Sequence, residues 1–328
     1  MFIQKLPAIC AGLALIFAFD APAARAGQAT DWPEKPVTIL APFAAGGTVD
    51  LVARVLAVKL QRELGQPFVV DNRGGAGGTI ATAMLARAAP DGYTLMVHHM
   101  GLVFSDSLYS HLPYNTRRDI MPVAYVGATP NVLVVTKSLP VRTMSDFLTL
   151  AKSKPGAINY GSGGVGSAGH IPMAVLGMMT GTTLQHVPYK GSGPALTELV
   201  SGQIQSMLLT IPAVMPFINS GMVRPIATSG KKRSPALPNL PTLEEAGIKG
   251  FEYAPWYGFF APAGTPPAVV RKLYDAVERA LQDKEVVAKL AHEGIEVEAM
   301  PRERFVDIVD ADMARWSKTI AQLGIKQQ

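Results

Sequence analysis

The residues with the most chemical potential lie in Gly161-Ser162-Gly163-Gly164-Val165-Gly166-Ser167 and the following Ala168-Gly169-His170. A serine beside a histidine suggests a nucleophile with its base, a pair that also needs an acid to orient the imidazole. No G-x-S-x-G elbow is present, and Ser167 with His170 at i, i+3 fits a helix N-cap and its first turn. A serine hydrolase using Ser167 and His170 is therefore the alternative reading, not the leading one. The six histidines are scattered without H-E-x-x-H or a comparable cluster, so no metal is expected.

Anion binding is better served by Thr38 to Asp50, TILAPFAAGGTVD. A short apolar run ends at Pro42-Phe43, passes through Ala44-Ala45-Gly46-Gly47, and meets a helical pattern near Thr48. Strand, tight loop and helix N-terminus in that order present unpaired backbone N–H groups and the positive end of a helix dipole. The small residues let a ligand approach the main chain. No Gly-Lys-Ser/Thr follows, so this is not a phosphate loop, and the G-x-G-x-x-G spacing is absent. Asp71 stands where a ribose-binding acid would, but the missing third glycine argues against a dinucleotide, and no cofactor is expected. Asp71-Asn72 reads as a turn and cap feature, Asp50 as a complement to the helix N-terminus, and Arg73 as an anchor for the glycine loop after it.

The elements that must position these residues follow from periodicity. A strand near Val37 to Ala41 feeds the loop, and a helix from about Val49 to Leu64 carries Leu51, Val52, Val55, Leu56 and Leu60 on one stripe, with Gly65 as its stop. Phe68 to Asp71 is a strand, Asn72 to Gly78 a second glycine loop entering a helix, and Tyr93 to His98 a third strand. Helix is expected from Gly101 to Tyr109, and strands at Met121 to Gly127 and Asn131 to Thr136. The second half repeats the layout: Ile158 to Tyr160 before the Gly161 loop, Leu184 to Val187 before Tyr189-Lys190-Gly191, a helix at Ala195 to Ser201, and a strand at Ile204 to Leu209. Phe251 to Phe260 is an aromatic extended segment returning to the first half, followed by amphipathic helices that pack there. The fold class is α/β: two lobes, each a doubly wound sheet, with a ligand cleft between them. Residues 27–127 and 250–328 form the first, discontinuous lobe and 128–249 the second. Tyr253, Trp256, Tyr257, Phe259 and Phe260, and likewise Met173, Met178 and Met179, read as packing.

The chain opens with Lys5, an apolar run from Leu6 to Phe19, and Ala24-Arg25-Ala26. These are the parts of a secretory signal peptide spanning residues 1–26, cleaved near Ala26, which places the mature protein in the periplasm. Removing Lys5, Arg25 and Asp20 takes the formal charge from +5 to +4. The only cysteine, Cys10, leaves with the signal, so the mature chain has neither disulfide nor thiol ligand. Lys231-Lys232-Arg233 is the one dense basic cluster and looks like an exposed loop, so no nucleic acid is expected as partner.

Taken together, WPEKPVTILAPFAAGGTVDLVAR, VVDNRGGAGGTIAT, APDGYTLM, YGSGGVGSAGH, VPYKGSGPALTELVSGQIQSML and LPNLPTLEEAGIKGFEYAPWYGFFAPAGTP resemble the TctC-like, or Bug-type, solute-binding receptors of tripartite tricarboxylate transporters. The resemblance spans essentially the whole mature chain. It implies a monomeric two-lobed periplasmic binding fold of type II kind that closes on a small carboxylate, a di- or tricarboxylate or an aromatic acid, and delivers it to membrane permease subunits. A ligand sensor without a transport role is the variant of that reading. It further implies that Phe43, Ala44, Ala45, Gly46 and Gly47 hold the carboxylate, and that Ser162, Ser167, His170, Tyr189, Lys190 and Gly191 face it from the second lobe. Where many relatives carry an acid, reading roughly GQVD, this chain has Gln205, a neutral group expected to favour an anionic or neutral distal end of the ligand. His98 is the remaining candidate contact. Adjacent strand residues face opposite ways, so only one of His98 and His99 is expected to turn inward.

Overall fold

The computed structural model describes residues 31–292 and 294–326. The leader and its cleavage site near Ala26 lie outside the described residues. Among those described, no helix is long and apolar enough to cross a membrane.

The first part of the chain lays down β1 (Val37–Ala41), α1 (Thr48–Leu64), β2 (Phe68–Asn72), α2 (Thr79–Arg87) and β3 (Thr94–His99). A 3-10 turn at Met100–Phe104, the short helices α3 (Ser105–Leu108) and α4 (Thr116–Asp119), and β4 (Ile120–Ala128) follow. The middle part runs β5 (Asn131–Thr136), α5 (Met144–Ser153), β6 (Asn159–Ser162), α6 (His170–Thr180), β7 (Gln185–Pro188), α7 (Ser192–Ser201), β8 (Ser206–Thr210), α8 (Ile211–Asn219) and β9 (Val223–Thr228). The last part holds β10 (Trp256–Pro262), α9 (Pro267–Gln282), α10 (Lys284–His292), β11 (Glu296–Val297) and α11 (Arg302–Leu323). The sequence expectation of one helix from Gly101 to Tyr109 resolves into a 3-10 turn and a single α turn. Helix α7 begins earlier than expected, at Ser192, because Gly193 and Pro194 fall in a first turn whose N–H groups have no intrahelical partner in any case.

Two sheets result, in strand orders β11-β4-β10-β3-β1-β2 and β7-β6-β8-β5-β9. Strands β1, β2 and β3 are parallel, as are β6, β7 and β8. In the first sheet β10 runs antiparallel to both β3 and β4, with β11 antiparallel to β4 at the edge, and in the second β5 runs antiparallel to both β8 and β9. Strands β10 and β5 are the first laid down after the chain passes from one sheet to the other.

The connections are bonded to each other. The amide of Thr129 donates to Pro255 O at 3.2 Å, that of Tyr253 to Ser229 O at 2.8 Å, and that of Ser229 to Asn131 O at 2.8 Å. The Ser229 hydroxyl accepts from the Asn131 amide at 2.8 Å and donates to the Tyr253 carbonyl.

Strand alternation divides the core. Ile39, Val97 and Phe259 pack toward α1 and α9, with Leu56, Leu60, Leu273 and Val277. Their neighbours Leu40, Met96 and Phe260 face the opposite way, into a cluster that includes Phe104, Phe305 and Trp316 and continues to Phe147, Ile171 and Leu208 beneath the second sheet. That cluster is shared by both lobes. Helix α11 is the bridge: the C-terminal helices pack on the first lobe as expected, but the Trp316 ring also meets Tyr253 edge-on at 5.6 Å, and α11 reaches α6.

Central strand β10 has no room for a side chain at Gly258, where a Cβ would lie 2.3 Å from the Phe305 ring and 3.0 Å from Ala124 O. Phe305 is fully buried and has nowhere to retreat. Gly258→Ala is expected to cost about 1–3 kcal/mol of overpacking strain, read as a lower urea midpoint at unchanged slope.

Candidate ligand cleft

The loop after β1 is organised by one carboxylate. Asp50, 5 % exposed in the first turn of α1, accepts from the Gly46 amide at 3.0 Å, from Asn72 Nδ2 at 3.0 Å and from Arg54 Nε at 2.9 Å. Burial alone would raise its pKa, yet the bonds from Arg54, Gly46 and Asn72 outweigh that and hold it below the usual value. Asn72 also donates to Phe43 O at 3.1 Å, tying the loop to the end of β2. Arg54 leaves Asp50 neutralised, so the α1 N-terminus keeps its attraction for an outside anion. The amides of Ala44, Ala45, Gly47, Thr48 and Val49 donate to nothing among the described residues. Gly47 is the N-cap and brings no capping side chain. The Arg73 side chain pairs with Asp71 at 2.9 Å, and its amide donates to Ala41 O at 2.8 Å, so it anchors the second glycine loop as expected.

Phe43 lies over both histidines. His99 stacks on it at 4.8 Å and 15°, and His98 meets its edge at 5.6 Å. The expectation that only one imidazole turns inward does not hold, because β3 ends at His99. There the chain enters the 3-10 turn, and His99 Nδ1 folds back to accept from the Gly101 amide at 2.7 Å. His98 is 1 % exposed, with Nδ1 at 2.8 Å from the His99 amide and Nε2 so close to Gly78 that a Cβ there would lie 2.8 Å away. It braces two loops against each other. Desolvation lowers the His98 pKa to about 4 and pulls His99 well below its ordinary value.

Across the cleft, the second-lobe loop rests on a column of rings. His170 stacks on His186 at 3.9 Å, and His186 on Tyr160 at 4.9 Å. His170 Nδ1 accepts from the Gly166 amide at 3.1 Å. Ser162, fully buried, is 2.7 Å from His186 Nε2, donates to Gly164 O at 3.0 Å and accepts from the Gly164 amide at 3.1 Å. Burial lowers His170 to about 3 and His186 to about 4. Ser167 is 7 % exposed, and its hydroxyl has no partner among the described residues. It makes no bond to His170, whose Nδ1 is committed to Gly166, so the nucleophile–base pair of the hydrolase reading is not assembled. Tyr189, Lys190 and Gly191 follow β7 on the rim. The Tyr189 amide donates to Ser162 O at 3.0 Å, and Gly191 abuts Gly163.

The lobes meet at the C-terminal ends of their parallel strands. Thr48 Oγ1 and Thr210 Oγ1 are 3.1 Å apart. Asn131, paired in register with Thr210, donates to Ala168 O at 2.8 Å while its Oδ1 has no partner among the described residues. Gln205 must be corrected as a contact. It precedes β8, at the end of the strand away from Thr210, and its Oε1 accepts from the Asn159 amide at 3.0 Å while Nε2 donates to Gly202 O at 3.3 Å. Both ends of that amide fasten backbone far from the cleft. Thr48, Asn131, His186 and Thr210 escaped sequence reasoning, since no motif marks them. Their side-chain hydrogen-bond partners lie between 24 and 162 residues away.

The family model described as tripartite tricarboxylate transporter family receptor matches residues 52–325. Among solved structures, the chain is similar to the R. palustris protein Rpa4515 with adipate, at 37 % identity and TM-score 0.87, covering 90 % of this chain and 100 % of that one. It is similar to the periplasmic binding protein BugD at 35 % identity and TM-score 0.85, with 90 % and 100 % covered. It is also similar to MatC of Rhodopseudomonas palustris with bound malate, at 35 % identity and TM-score 0.83, with 88 % and 100 % covered.

The imidazoles of buried His98, His99 and His170 and half-buried His186 make stability depend on pH. Unfolded histidines take up protons near pH 6.5, whereas the folded rings resist until about 4 for His98 and His186 and about 3 for His170. Stability is full above pH 6.5 and is lost as pH falls from there toward 4, because the unfolded chain binds more protons throughout that window. Urea unfolding from pH 7.5 to 4.5 is expected to show a steady fall in free energy with uptake of protons on unfolding. A flat profile contradicts the assignment of neutral rings.

Proposed function

This chain belongs to the tripartite tricarboxylate transporter receptor family, and from that premise we propose that it is a periplasmic receptor that closes on a small carboxylate and hands it to membrane permease subunits. The observation that carries the reading is the set of unengaged amides of Ala44, Ala45, Gly47, Thr48 and Val49 at the α1 N-terminus, beside an internal carboxylate that Arg54 already neutralises. A carboxylate accepts several such N–H bonds at once and gains from the helix dipole. A phosphate would look for a lysine or arginine in the same loop, which has none. The adipate and malate held by similar proteins are short dicarboxylates, in keeping with this chemistry.

Phe43 to Gly47 make the main contact in this reading, and Ser167 approaches from the other lobe with Tyr189 to Gly191 at the rim. His98, Ser162 and His170 hold the loops in place. The N-terminal leader pattern supports export, and one chain contributes both jaws, so the working unit is a monomer of two lobes, residues 27–127 with 250–328 and residues 128–249. The chemistry is binding alone, without catalysis or cofactor.

A thermal-shift screen over mono- and dicarboxylates tests this. At a hundredfold excess over Kd the cognate acid is expected to stabilise the protein by about 2.7 kcal/mol. Asp50→Ala frees Asn72 and Gly46 from their acceptor and is expected to reduce or abolish the shift while costing the empty protein about 1–3 kcal/mol. No shift with any carboxylate, together with ester turnover lost in Ser167→Ala, rejects the receptor in favour of the hydrolase.

A further inference from the structure

Tyr109 ends α3 at the place where the lobes touch, and nothing in the cleft chemistry so far uses it. Its hydroxyl is buried and has no hydrogen-bond partner among the described residues. On the facing lobe, the Ser167 hydroxyl is in the same condition. The two belong to one contact: a Cβ on Gly166 would lie 2.6 Å from Leu108 Cδ1, so the residues just before Ser167 and just before Tyr109 press together. A Cβ on Gly77 would lie 3.2 Å from the Tyr109 hydroxyl and 3.1 Å from Val165 O, which puts Tyr109 at the junction of both lobes and the second glycine loop.

That loop also measures the distance to the amide cluster. A Cβ on Gly74 would lie 3.4 Å from the Ala44 amide nitrogen, and Gly74 is three residues from Gly77, a span of at most about 11 Å. The first carboxylate at Ala44 to Val49 is therefore within reach of a short chain whose far end arrives beside Tyr109. Two hydroxyl donors without acceptors, one from each lobe, suit a second carboxylate and leave an apolar end unserved.

Resting on the receptor reading above, we propose that Tyr109 is a specificity residue: its hydroxyl, with that of Ser167, binds the distal carboxylate of a short dicarboxylate and so couples ligand choice to lobe contact. In this conformation the hydroxyl is buried beside Gly77, with Val165 O of the second lobe packed near the same glycine. Burial raises the phenol pKa, so it stays a donor across the physiological range.

Calorimetric titration of wild type and Tyr109→Phe with matched acids tests the assignment, using adipate against hexanoate and succinate against butyrate. For the diacid that wild type binds, Tyr109→Phe is expected to weaken affinity about 5- to 20-fold, with the matched monoacid changed less than about twofold. The melting temperature of the empty variant is expected to stay level or rise, since the hydroxyl removed has no partner. Unchanged diacid affinity overturns the proposal. Equal losses for both acids also overturn it, because they assign Tyr109 to packing of the lobes alone. If wild type binds a monoacid but neither diacid, this inference falls while the receptor reading stands, whereas failure of every acid here and in the wider carboxylate screen removes the receptor reading and this inference with it.

Discussion

The cleft depends on where one buried negative charge spends its hydrogen bonds. Asp50 sits inside the first turn of α1, where a carboxylate is stabilised by the helix dipole but also competes with any ligand anion for it. The competition is removed by geometry: Arg54, one turn on, neutralises the charge, and Asn72 and the Gly46 amide take the remaining lone pairs. The loop is thereby fixed in a shape that exposes its other amides without needing a side chain of its own. A cationic side chain would bind anions more strongly but with less regard for shape; backbone donors on a fixed loop reward an acceptor that fits.

The lobe arrangement follows from the two crossings of the chain between the sheets. The crossings at Thr129-Pro130 and Ser229 to Pro255 lie side by side and are pinned to each other by backbone bonds. The shared core through Phe305 and Trp316 adds α11 as a strut on one side, while Thr48–Thr210 and Leu108–Gly166 mark where the jaws meet. Strand ends and helix N-termini from the two lobes face each other across this joint.

Buried imidazoles, which would invite an acid–base or cation role, have a structural one here. His98 and His99 support Phe43, and the His170–His186–Tyr160 column supports the second glycine loop. Burial strips them of charge at neutral pH, so they act as shaped acceptors and flat packing surfaces. The glycines that run beside them are required by this closeness: Gly78 and Gly101 have a histidine ring where a side chain would go.

The strands, the helix faces and the strand–loop–helix turns at Phe43 to Gly47 and Gly161 to Ser167 were legible in the sequence, because apolar period, glycine placement and capping act over a few neighbouring residues. The family resemblance was legible for the same reason, as it rests on those local motifs in order. What the sequence could not settle was which side chains face the cleft. Gln205 looked like a contact from its motif, yet it lies at the start of β8, and the cleft forms at the strand's other end. His98 and His99 broke the alternation rule because β3 stops between strand and turn. Asn131, Thr210 and Tyr109 bear no local mark at all. Their chemistry comes from strand register and lobe contact, interactions between residues far apart in the chain, and those exist only once the tertiary structure has closed.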